Sequence, residues 1–74
     1  MGIKIVLNPL LRSRNMTAKE LAIAIGITEA NLSILNTGKA KAIRFSTLSA
    51  ICHTLKCQPG DFIQYQDESN DNRF

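Results

Sequence analysis

Residues 17–38 read TAKELAIAIGITEANLSILNTG, and this stretch decides the fold. Thr17 followed three residues later by Glu20 is a capping box, in which each side chain bonds the other residue's free backbone N–H. Met16 before the cap and Leu21 at the fourth helical position form the matching hydrophobic staple. Ala18, Leu21, Ala22 and Ile25 then recur at i, i+3, i+4 and i+7, which is one buried helix face. Gly26 stops the helix, because glycine takes the left-handed backbone that a helix C-terminus needs. One residue later the pattern restarts, with Ile27 before a Thr28 cap and Leu32 four positions on. This second helix spans Glu29 to Asn36, buries Leu32 and Leu35, and closes at Thr37-Gly38. Two short helices joined by so tight a glycine turn must cross at a large angle. In DNA-binding proteins such a unit puts its second helix into the major groove.

Outward from this centre the signals weaken. On the N-terminal side, Gly2 to Leu7 is rich in β-branched residues and reads as a short strand or an extended arm. Asn8-Pro9 reads as a cap and first helical position, opening a helix that fails near Asn15. On the C-terminal side, Lys39 to Arg44 has no amphipathic period and reads as a basic loop. Ser46 is the expected cap of a last helix burying Leu48, Ile51, Cys52 and Leu55, ended by Gln58-Pro59-Gly60. Asp61 to Tyr65 reads as a second short strand that pairs with Ile3 to Val6.

The chain has 74 residues and 45% hydrophobic content, enough for one small core and no more. That excludes an enzyme with a substrate cleft between two lobes. No apolar run approaches the roughly 20 residues that a bilayer requires, and Pro9 and Arg12 interrupt any signal-like N-terminus. A cytoplasmic protein without a membrane partner is expected. Charge is uneven: residues 1–65 carry eight basic and three acidic side chains, whereas residues 66–74 carry Asp67, Glu68, Asp71 and Arg73. A basic domain at 1–65 with a disordered acidic tail at 66–74 points to a polyanionic partner.

Catalytic and metal chemistry find no support. The single histidine, His53, lacks Ser or Asp partners at triad spacing. Cys52 and Cys57 with one imidazole cannot complete a four-ligand zinc site. Cys52 reads as a core residue and Cys57 as partly buried at a helix end. The four glycines are isolated, so no phosphate-cradling loop exists. No cofactor and no small-molecule ligand are expected.

The run MTAKELAIAIGITEANLSILNTGKAKAIRF resembles the Cro and phage-repressor type of helix-turn-helix, the xenobiotic-response-element family of bacterial regulators. Thr17, Glu20, Leu21, Ala22, Gly26, Ile27, Leu32, Ser33, Leu35, Gly38 and Lys39 match its pattern, with Phe45 and Leu48 opening the following helix. The resemblance spans about residues 8–60, and the ending AIRFSTLSAICHTLKCQPGDFIQY resembles the family's small stand-alone branch. It implies an all-α, four- to five-helix, lambda-repressor-like domain with short strands at its ends. It also implies a homodimer that binds operator DNA and represses transcription, associated with the nucleoid when bound. By the same resemblance Thr28, Glu29, Ala30, Asn31, Ser33 and Ile34 fall on the base-reading face. Thr17, Ala18, Lys19, Lys39, Lys41 and Arg44 fall where phosphates are touched. Glu29 and Ala30 depart from the long neutral donors frequent at those positions, and Ile34 occupies a face that is usually polar. The alternative is a protein-interaction module on the same fold, an antitoxin or antirepressor subunit, marked by an apolar patch around Ile23, Ile34 and the C-terminal strand.

Overall fold

The computed structural model describes residues 2–66. Strand β1 (Gly2–Ile5) leads into helices α1 (Asn8–Ser13), α2 (Ala18–Ile25), α3 (Glu29–Asn36) and α4 (Phe45–Leu55). A 3-10 turn (Pro59–Asp61) and strand β2 (Ile63–Gln66) follow. Four helices carry most of the described chain, and the short strands expected at either end pair as a two-stranded antiparallel sheet, so the domain is mostly helical rather than purely all-α.

All four helices end in one way. Asn15, Gly26, Gly38 and Lys56 have positive φ, at 53°, 79°, 81° and 53°. After each, the next residue's N–H reaches back to a carbonyl five residues earlier: Met16 to Leu11 at 2.9 Å, Ile27 to Ala22 at 3.0 Å, Lys39 to Ile34 at 3.1 Å and Cys57 to Cys52 at 3.1 Å. This six-residue closure satisfies a carbonyl that the helix leaves free and packs the two residues it joins. It turns the chain within a single residue, which is how so many helices fit into so few positions.

Two helix starts differ from expectation. Asn8 does not cap α1: Leu7 flanks the helix, and Leu11 N–H bonds its carbonyl at 2.9 Å. The Asn8 side chain is engaged elsewhere, accepting from Asn36 Nδ2 at 3.0 Å. Asn36 Oδ1 in turn accepts from Leu7 N–H at 3.2 Å, so one α3 side chain secures the entry to α1. Likewise α4 is flanked by Arg44 rather than Ser46, without a side-chain cap. The hydrophobic staple explains the choice. With Arg44 at the cap, Ile43 and Leu48 occupy the two staple positions, and both are half-buried against the core.

The core joins Leu7, Leu11, Leu21, Ala22, Leu32, Leu35, Ile51, Leu55 and Phe62, with Ile5 at its edge. Cys52, expected inside, is half-buried at the margin. Arg14 closes the far side, its Nε donating to the Leu55 carbonyl at 2.7 Å and so satisfying the end of α4.

The sheet pairs Gly2 with Gln66, Ile3 with Tyr65, Lys4 with Gln64 and Ile5 with Ile63. Both strands are offset from expectation by one or two residues, because Gln58 N–H and the Asp61 carboxylate close the intervening turn at 2.9 Å. Val6 N–H donates to the Phe62 carbonyl at 2.7 Å. By antiparallel alternation, Ile3–Tyr65 and Ile5–Ile63 are then pairs without mutual backbone bonds, whose N–H and C=O groups point to the free edges. Gln66 belongs to β2, and the rest of the expected tail, residues 67–74, lies outside the described residues.

Candidate nucleic-acid interface

The interface begins with two caps. Thr17 Oγ1 accepts from Glu20 N–H at 3.1 Å, and Glu20 Oε1 accepts from Thr17 N–H at 2.8 Å, completing the capping box. Thr28 Oγ1 accepts from Asn31 N–H at 3.0 Å. Each hydroxyl hydrogen stays available to a further acceptor. The two caps start α2 and α3, which pack on each other around Leu21, Ala22 and Leu32.

Thr28, Glu29, Ala30, Asn31, Ser33 and Ile34 are all exposed. Ala30, Ser33 and Ile34 lie on the side of α3 turned away from the buried Leu32 and Leu35, while Thr28, Glu29 and Asn31 are exposed at its N-terminal end. Among the described residues the Asn31 carboxamide has no protein partner, so its donor and acceptor both face outward. Ile34 is 45% exposed and adds an apolar contact to this face.

Thr17, Lys19, Lys39, Lys41 and Arg44 are exposed as well. Ala18 is not: it is half-buried against the core, so only its backbone N–H could meet a phosphate. In the loop after α3, Ala40 and Ile43 are half-buried anchors, a feature the sequence reading missed. Between them and beyond them Lys39, Lys41 and Arg44 project. Alternating anchors and cations in so short a loop is the signal that could have been found. Among the described residues the N–H groups of Ala40 to Ile43 make no backbone bond, leaving them as donors beside the cations. An open groove of about 400 Å³ runs between α3 and this loop, lined by Ile27, Asn31, Ile34, Ile43, Arg44 and Thr47. Exposed cations and, among the described residues, unbonded N–H groups beside a polar helix face suit a phosphate backbone flanking a groove of bases.

Residues 6–68 match the Cro/C1-type HTH DNA-binding domain. The chain belongs to this family. A curated relative, the uncharacterised HTH-type transcriptional regulator YozG of Bacillus subtilis, is 53% identical over 70 residues, covering 95% of this chain and 83% of its own length. Among solved structures, the transcriptional regulator VanUg superposes with a TM-score of 0.72 at 30% identity, covering 92% of both chains. The clp gene regulator ClgR of Corynebacterium glutamicum gives 0.66 at 29% identity, covering 74% of this chain and 57% of its own. The fold is thus that of a DNA-binding domain found in transcriptional regulators.

Among the described residues the exposed large apolar side chains outside this face are Ile23, Ile3, Tyr65 and Phe45. Phe45 is 87% exposed although it opens α4, because the Ile43–Leu48 staple turns the first helical residue outward. Phe62 is fully buried and belongs to the core. Among the described residues no helix is long and apolar enough to cross a membrane.

Proposed function

We propose that this chain is a sequence-specific regulator of transcription, acting as a repressor by occupying operator DNA. In this reading α3 enters the major groove, with Thr28, Glu29, Ala30, Asn31, Ser33 and Ile34 towards the bases. Lys19, Lys39, Lys41, Arg44, the Thr17 hydroxyl and the Ala18 N–H meet phosphates. The observation that carries it is the pairing of one exposed, polar helix face with an anchored loop of three exposed cations, in a chain of the Cro/C1-type family. Repression needs only that the bound protein exclude polymerase, with no ligand and no cofactor. The protein would work in the cytoplasm, nucleoid-associated while bound.

The active unit is a homodimer. One eight-residue helix contacts few bases. Two-fold dimers double the contacts by reading half-sites one helical turn apart. Ile3 and Tyr65 form an exposed cross-strand pair, and the free edges of β1 and β2 offer unpaired backbone groups beside it. An exposed edge of this kind invites pairing with a second copy.

Selection of bound fragments from random duplex DNA tests the reading. Enrichment of a two-fold symmetric site with half-sites about one turn, roughly 34 Å, apart is expected. A folded chain that enriches no sequence would favour a protein-interaction module instead.

A further inference from the structure

Cys52 and Cys57 lie at the opposite end of α4 from Arg44, outside the interface. Their separation is set by the closure that ends the helix. Lys56 takes the left-handed conformation at φ 53°, and Cys57 N–H donates to the Cys52 carbonyl at 3.1 Å. This motif packs together the side chains of the two residues it joins. Here both are cysteines, both are free, and both are half-buried rather than sealed in the core. Arg14, from the turn after α1, and Asp61, from the 3-10 turn, are the charged groups facing Cys57. A disulfide needs α-carbons roughly 4.4–6.8 Å apart and side chains directed at each other. The direct backbone bond between the two residues supplies the closeness, and the side-chain packing of this helix end supplies the direction.

We propose that Cys52 and Cys57 are a modification site, closing reversibly to an intramolecular disulfide by exchange with a low-molecular-weight disulfide. One protein thiolate attacks the reagent's S–S bond, forming a mixed disulfide and releasing one reagent thiol. The second protein thiolate attacks that protein-bound sulfur, forming the Cys52 Sγ–Cys57 Sγ bond and releasing the second reagent thiol. The protein dithiol loses two electrons, the reagent gains them, and both protons leave on the reagent thiols. The helix end is already built around this contact, so the bond staples α4 to the following turn without moving the interface.

The pH dependence follows from the surroundings. Burial first, then the neighbouring Cys52 and Asp61, push the Cys57 thiol above its ordinary 9.0, with Arg14 opposing. The thiolate is the nucleophile. Closure therefore accelerates as pH rises towards and beyond that value.

The full chain equilibrated in a glutathione redox buffer, natively and in guanidinium chloride, then acid-quenched, provides the test. Intact mass and thiol titration read the products. Native protein should lose two hydrogens in mass and both titratable thiols, with a closure constant at least about tenfold above that of the denatured chain. By linkage the oxidised protein then resists unfolding by the same factor, about 1.4 kcal/mol per tenfold. Cys52→Ala and Cys57→Ala should each carry one glutathione and no internal bond. Native protein that yields only glutathione adducts, or a closure constant equal in the two states, would overturn the assignment.

Discussion

Glu29 is the first residue of α3, where its carboxylate gains from the helix dipole yet would meet phosphate repulsion on DNA. A carboxylate can only accept, so a base partner would be the cytosine amino group. Glu29→Gln separates the two roles. If Glu29 reads cytosine, selection experiments should show the preference at one operator position shifted by about 1–3 kcal/mol. If it only stabilises the helix start, affinity should rise uniformly and no position should change its preferred base. Lys56 poses a different question, since a lysine holds the left-handed conformation that glycine holds after α2 and α3. Lys56→Gly should relieve roughly 1 kcal/mol of backbone strain and raise the melting temperature. An unchanged or lower melting temperature would contradict the closure assigned to the end of α4.

At the scale of elements, the caps carry the interface. Thr17→Ala removes one half of the capping box and leaves Glu20 N–H without its acceptor. A loss of about 1 kcal/mol in urea unfolding is expected. A loss within error would mean that α2 is held by packing alone. The same local chemistry determined what could be read in advance. The α2 and α3 limits were legible because caps, staples and glycine stops coincide at Thr17, Gly26, Thr28 and Gly38. The start of α4 was misread because Ser46 looked like a cap, whereas the Ile43–Leu48 staple decides the boundary and gives Arg44 the flanking position. The closure at Lys56 was hidden, because lysine does not advertise a left-handed turn as glycine or asparagine does. Asn36 and Arg14 act across 28 and 41 residues of sequence, and contacts of that span leave no periodic signal.

For the whole molecule, the sheet that joins the chain's ends matters most. It was foreseen as strand propensity at either end, but its register was not, since the 3-10 turn absorbs residues expected in β2. The candidate site residues come as a set from resemblance to the family. Burial then separates them, withdrawing the Ala18 side chain while leaving the α3 face and the loop cations open. Pairing of two copies at the exposed sheet should appear in sedimentation as a dimer at tens of micromolar, and Ile3→Lys with Tyr65→Lys should shift it to monomer. A wild-type chain that remains monomeric with and without DNA would contradict the dimer.

The central claim is that the α3 face and its cationic loop bind duplex DNA, and a salt titration of binding tests it most directly. Affinity for duplex should fall linearly on a log–log scale with a slope of about −0.9 for each phosphate contact, so about −3 to −4 per subunit. Lys39→Ala with Lys41→Ala should weaken binding to all sequences alike and flatten that slope by about 2. A folded wild-type chain with no detectable duplex binding even at about 50 mM salt, or a slope that the double substitution leaves unchanged, would contradict the account.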